Sequence, residues 1–168
     1  MQIYQIAGYK NSGKTTLMNQ LIRYFSERGL KVGSLKHHGH GGEPAMVKGT
    51  DSDKHLESGS IISGVEGDKL TQLTLQMPFE LEKLVQLYEK FQLELLLVEG
   101  YKNADYRKIV LINSEADLSL LQELSNIMAV GTRDMKLMDN QEYPVFDMNH
   151  LYKDISALAD HIRRDFDD

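Results

Sequence analysis

Residues 8–15 read Gly-Tyr-Lys-Asn-Ser-Gly-Lys-Thr and satisfy the pattern G-x-x-x-x-G-K-[ST]. That pattern describes a phosphate cradle. Gly8 and Gly13 let the backbone curl so that N–H groups around Asn11 and Ser12 point inward at an anion. A helix starting at the end of the run adds its positive N-terminal end. Lys14 can then reach β- and γ-phosphate oxygens, and the Thr15 hydroxyl can hold a magnesium ion. A second ligand for the same ion is Glu99, which closes the near-continuous apolar run Leu93, Glu94, Leu95, Leu96, Leu97, Val98. Ligands collect at the C-terminal ends of strands in open α/β sheets. P-loop proteins mostly place Asp there. The longer Glu99 has a second use open to it, orienting an attacking water, which makes it the catalytic candidate.

These residues need a strand, a tight loop and a helix in that order. Ile3, Tyr4, Gln5, Ile6 and Ala7 form a short buried strand, and Leu17, Leu21, Ile22 and Phe25 recur at helical spacing through about Arg28. Gly29 stops that helix, and residues 30–36 read as a second strand. Residues 37–50 are rich in glycine and histidine and suit a surface loop. A short helix follows, with Asp51 or Ser52 as its cap. Residues 60–65 and 69–75 read as two strands joined by Glu66-Gly67-Asp68, a hairpin. Pro78 opens a helix with Leu81, Leu84, Val85 and Leu87 on one face. The run ending at Glu99 suits a central parallel strand, residues 108–112 and 127–130 repeat its style, and Val145-Phe146 is a shorter strand. A last helix is expected from about Leu151 to Phe166. Strands alternating with helices predict an α/β domain, a P-loop NTPase-type three-layer sandwich. Its sheet is mostly parallel, a β-hairpin is inserted, and one domain spans residues 1–168.

Three further groups carry open readings. Lys36, His37, His38 and His40, with His55 further on, invite a metal site, but zinc needs three rigidly held ligands. Anion or partner binding near the phosphates is the stronger reading, beside a plain polar loop. Asp51 either touches magnesium or its waters, or only caps a helix. Gly131, Thr132, Arg133 and Asp134 follow an expected strand and resemble the Asn/Thr-Lys-x-Asp motif that reads guanine in GTP-binding proteins. Arg133 stands there for Lys, and the alternative is a surface turn.

A net charge of −6 argues against general nucleic-acid affinity, which depends on excess Lys and Arg. Without cysteine there are no disulfides or thiolate zinc sites. No run approaches the length of a membrane span, and the chain enters a strand with no signal peptide before it. A cytoplasmic protein is the expectation.

Taken together, these stretches resemble the MobB family of molybdopterin guanine dinucleotide biosynthesis. The matching residues are Gly13-Lys14-Thr15-Thr16-Leu17, Lys36-His37, Gly49-Thr50-Asp51-Ser52, Ser58-Gly59 and Val98-Glu99-Gly100-Tyr101-Lys102. Lys108-Ile109-Val110-Leu111 and the Ala129-Val130 strand end before Asp134 also fit. The resemblance implies GTP and magnesium binding, weak GTP hydrolysis, a homodimer, and work beside a MobA-type molybdopterin guanylyltransferase. It assigns phosphate contacts to Gly13, Lys14, Thr15 and Thr16. The exposed edge of the hairpin is the candidate dimer element. A P-loop small-molecule kinase is the alternative, though no arginine-rich lid is visible, and no Gln or Arg suited to fast hydrolysis stands next to Glu99 in sequence.

Overall fold

The computed structural model describes residues 1–39, 42–139 and 142–163. Six parallel strands form one sheet: β1 (Gln2–Gly8), β2 (Val32–Lys36), β5 (Leu95–Glu99), β6 (Arg107–Ile112), β7 (Ile127–Thr132) and β8 (Val145–Asp147). Their spatial order is β2-β5-β1-β6-β7-β8. β1 therefore lies between β5 and β6, with Ile6 opposite both Glu99 and Ile109. Lys36 at the end of β2 is in register with Glu99. The expected parallel sheet is present, and β5 is buried along its whole length.

Helices cover both faces because the central strands are apolar on both. On one face α1 (Lys14–Ser26) and α5 (Leu151–Arg163) pack against Tyr4, Ile6, Leu95, Leu97, Ile109 and Leu111. They contribute Leu17, Leu21, Phe25, Leu158 and Ile162. On the other face α3 (Leu81–Glu89) covers Leu96 and Val98 through Leu81 and Val85. The short α4 (Leu120–Glu123) and two 3-10 turns cover Val110, Ile112 and Val130. The patterning had not shown these last three elements, since each is too short to complete a period.

A separate antiparallel hairpin, β3 (Ile62–Glu66) and β4 (Thr71–Leu75), follows α2 (Asp51–Glu57). Local details depart from expectation at helix starts. The cap of α2 is Thr50, whose hydroxyl accepts from the Asp53 amide, so Asp51 and Ser52 already lie inside the helix. α3 begins at Leu81 behind Glu80, three residues after Pro78, and Leu87 on it is exposed. The last helix is described to Arg163.

Candidate functional site

The chain leaves β1 at Gly8, turns through Asn11 (φ 62°) and Gly13 (φ 100°), and enters α1 at Lys14. Gly13 caps the helix in a left-handed conformation that glycine adopts without strain. With no side chain on the cap, the first N–H groups of α1 are left free to face a ligand. The loop is braced from the neighbouring strand end: Asn113, just after β6, donates its Nδ2 to the Ser12 carbonyl at 3.2 Å. The Ser12 hydroxyl and Asn113 Oδ1 are buried without a hydrogen-bond partner.

Lys14 bends back over this loop and donates to the carbonyls of Gly8 at 3.1 Å and Tyr9 at 2.6 Å. Burial pushes its pKa below the ordinary lysine value. Glu99 opposes that shift, and Lys102 and Lys36 reinforce it. Glu99, Lys102 and Lys36 thus all lie within electrostatic reach of Lys14. Glu99 is buried at the end of β5, where its Oε1 pairs with Lys36 Nζ at 3.0 Å. Its Oε2 accepts from the Thr15 hydroxyl at 3.2 Å. A hydroxyl and a carboxylate converging beside a phosphate loop form the hard oxygen set that magnesium prefers, so these two residues fit that ion.

One cavity of about 1280 Å³ joins these parts. Gly8, Asn11, Ser12, Gly13, Lys14, Thr15, Thr16 and Glu99 all line it, with Lys36 and His37 on one flank and Tyr101 and Lys102 on another. Tyr101 packs against His37 with ring centroids 4.4 Å apart, and Lys102 Nζ lies 3.8 Å from the Tyr9 ring centroid. These two contacts tie the loop after β5 to both β2 and the P-loop.

Two expected site residues stand elsewhere. Asp51 is on exposed α2, paired with Lys54 at 3.0 Å, and faces a smaller groove between α2 and the hairpin. The structure does not bring it to the P-loop cavity. Asp134 caps a 3-10 turn (Met135–Met138), its Oδ1 accepting from the Lys136 amide at 3.1 Å. Its neighbour Arg133 is the residue that lines the cavity: a Cβ on Gly13 would lie 3.4 Å from Arg133 Nη2. A cation on the P-loop side had gone unassigned, because 120 residues separate Arg133 from Gly13 in sequence. Among the described residues no group of three or more His, Cys, Asp or Glu could hold a metal ion, and His40 lies outside them. His55 is exposed on α2.

A parallel sheet with helices on both faces, and a glycine-rich loop feeding α1 beneath an acid on the neighbouring strand, define a P-loop protein of the NTPase type. The hydrogenase maturation factor HypB of Archaeoglobus fulgidus shares this fold at a TM-score of 0.51 and 13% identity, covering 94% of this chain and 88% of that one. The family profile described as molybdopterin guanine dinucleotide synthesis protein B matches residues 3–133, and the chain belongs to this MobB family. It is 38% identical over 145 residues to a probable molybdopterin-guanine dinucleotide biosynthesis adapter protein of Bacillus subtilis, across 86% of this chain and 84% of that one. The crystal structure of a MobB homolog from Bacillus stearothermophilus superposes at a TM-score of 0.79 with 36% identity, covering 98% of this chain and 99% of that one. The role of the family in molybdenum-cofactor biosynthesis is therefore the setting of this cavity. Among the described residues no helix is long and apolar enough to cross a membrane.

Proposed function

We propose that this chain is an adapter of molybdopterin guanine dinucleotide biosynthesis that binds GTP with magnesium in the P-loop cavity and presents it to a MobA-type guanylyltransferase. The observation that carries this reading is the convergence of Lys14, Thr15 and Glu99 at one loop. On binding, Lys14 exchanges the Gly8 and Tyr9 carbonyls for phosphate oxygens. The backbone N–H groups at the start of α1 donate to the same anion, and Thr15 and Glu99 would hold magnesium through oxygen, which would neutralise phosphate charge. Lys36, which pairs with Glu99 at 3.0 Å and lines the same cavity, would be at hand for the phosphates. Arg133 closes the cavity over Gly13. Hydrolysis is slow in this reading, because no glutamine lines the cavity among the described residues to orient water.

The guanine preference rests on the family resemblance, since the Asp134 carboxylate is engaged by the Lys136 amide and does not line the cavity. The homodimer forms through the hairpin, whose exposed apolar residues Ile62, Leu70 and Leu73 make a surface that a second copy would cover.

The test is competitive calorimetry of GTP against ATP with magnesium, repeated with the guanylyltransferase present. GTP should bind at least about tenfold tighter, a difference of ~1.4 kcal/mol. Its affinity should rise further when the partner is added. Equal affinity for the two nucleotides would remove the guanine assignment, and indifference to the partner would remove the adapter role.

A further inference from the structure

Three polar side chains are completely buried inside the parallel sheet, Thr132 at the end of β7, Gln5 on β1 and Lys108 on β6, and the last two stand opposite one another in register. Central parallel strands covered on both faces are ordinarily apolar throughout. An amide and an ammonium placed there carry a desolvation cost unless each is hydrogen-bonded. Their partners are specific. Gln5 Nε2 donates to the carbonyls of Gly100, at 2.6 Å, and Tyr101. Lys108 Nζ donates to those of Ala104 at 2.9 Å, Tyr106 at 3.0 Å and Ser125 at 2.7 Å. A side-chain amide nitrogen has two protons to give and a lysine ammonium three, and here every one is used, while Gln5 Oε1 is buried without a partner.

Four of the five acceptors belong to residues 100–106. That segment carries the chain from β5, across β1, to the parallel strand β6 on the other side. Such a crossover usually contains a helix that satisfies its own backbone. This one contains none, so its inward carbonyls need partners from the sheet. Gln5 holds the near end and Lys108 the far end. At the near end Gly100 (φ 93°) and Tyr101 (φ 49°) are both left-handed. Tyr101 adopts that conformation at a cost that glycine would not meet, so the surrounding structure must impose it. The same segment starts one residue after Glu99 and supplies Tyr101, Lys102, Asn103 and Ala104 to the cavity wall.

We infer that Gln5 and Lys108 are positioning residues that fasten the crossover from beneath. They hold Glu99 and the 101–104 wall against the P-loop before any ligand arrives. The wall is then a preformed part of the site and not a flap that closes over it. The functional half of this inference rests on the nucleotide and magnesium reading above.

The experiment uses full-length Gln5→Leu, Gln5→Glu and Lys108→Met, each shown by a cooperative thermal transition to be folded. GTP affinity is measured by calorimetry with magnesium and again in EDTA, and amide hydrogen exchange is followed across residues 100–106. The affinity in EDTA, which reports the P-loop alone, should stay within about twofold of the parent. The gain on adding magnesium should shrink roughly 10- to 100-fold, as when a group that orients a metal ligand is removed. Exchange in the crossover should quicken in all three variants. Unchanged exchange would overturn the fastening. Faster exchange with an intact magnesium gain, or an equal loss with and without magnesium, would overturn the positioning role. If the parent itself binds no nucleotide, the functional reading falls, and exchange still decides whether the crossover is fastened.

Discussion

All five residues of β5 are buried, whereas none of the five in β4 is. Both strands contain leucine, but β5 reads Leu-Leu-Leu-Val-Glu and β4 Thr-Gln-Leu-Thr-Leu, so leucine content alone does not account for the difference. Position does. β5 lies between β2 and β1 with helices on both faces, and the hairpin pairs only with itself over α2. In the parallel sheet the buried Gln5 nitrogen, the Lys108 ammonium and the Glu99 carboxylate have designated partners. On the hairpin it is apolar groups, including Leu70, Leu73 and Ile62, that lack cover. The comparison teaches that burial gives the sheet's polar side chains fixed positions, as the proposed ligand site requires, while the hairpin leaves apolar area open, as the proposed dimer requires.

Stability sharpens that contrast most. Leu97→Ala in β5 should cost about 2–5 kcal/mol in a denaturant titration, because a closed core relaxes poorly around a cavity. Leu73→Ala on the hairpin should change stability of the isolated chain by less than about 0.5 kcal/mol. Similar losses at both sites would break the distinction.

Binding separates the two regions next. Lys14→Ala should weaken GTP roughly 100-fold in calorimetry, about the loss of a charge-assisted contact worth ~2.7 kcal/mol. Paired Leu70→Asp and Leu73→Asp substitutions should leave that affinity alone and shift the mass measured by light scattering from dimer to monomer.

A smaller effect belongs to the helix beneath the hairpin. Thr50→Ala removes the hydroxyl that accepts from Asp53 and should cost about 1 kcal/mol of stability. Placed near the hairpin but far from the cavity, it should leave nucleotide affinity unchanged.

The least dramatic expectation concerns pH. Burial lowers the pKa of Lys14, so the folded chain releases that proton before the unfolded chain does. Between the lowered value and the ordinary lysine value the unfolded state binds more protons, so this group's contribution to stability rises with pH. GTP affinity should move the other way and fall across the same window as the ammonium is lost. Lys36→Met removes a repelling cation and should shift the fall to higher pH. A fall at unchanged pH in that variant would show that Lys36 does not act on Lys14.

Much of the sheet half was legible in the chain itself. The strand, glycine loop and helix around Lys14 follow from residues within a few positions of each other, and so does the apolar run ending at Glu99. Hairpin signals around Gly67 were equally local. Helix starts were misplaced at Thr50 and Glu80, where capping residues compete over one or two positions. The 3-10 turn after Asp134 was missed because four residues are too few to repeat an apolar period, and that turn occupies the carboxylate expected to read a base.

Sequence alone determined the phosphate loop, the acid at the strand end, the alternation of strands with helices, and a family resemblance that the comparisons bear out. Each is set by side-chain type and spacing within a short stretch, where backbone geometry is nearly local. Only the tertiary structure decided which distant residues meet. It brought Arg133 to Gly13, left Asp51 on an exposed helix, and placed Gln5 and Lys108 under the crossover. Those outcomes depend on strand order and register, which the packing of the whole core selects and no short stretch of chain encodes.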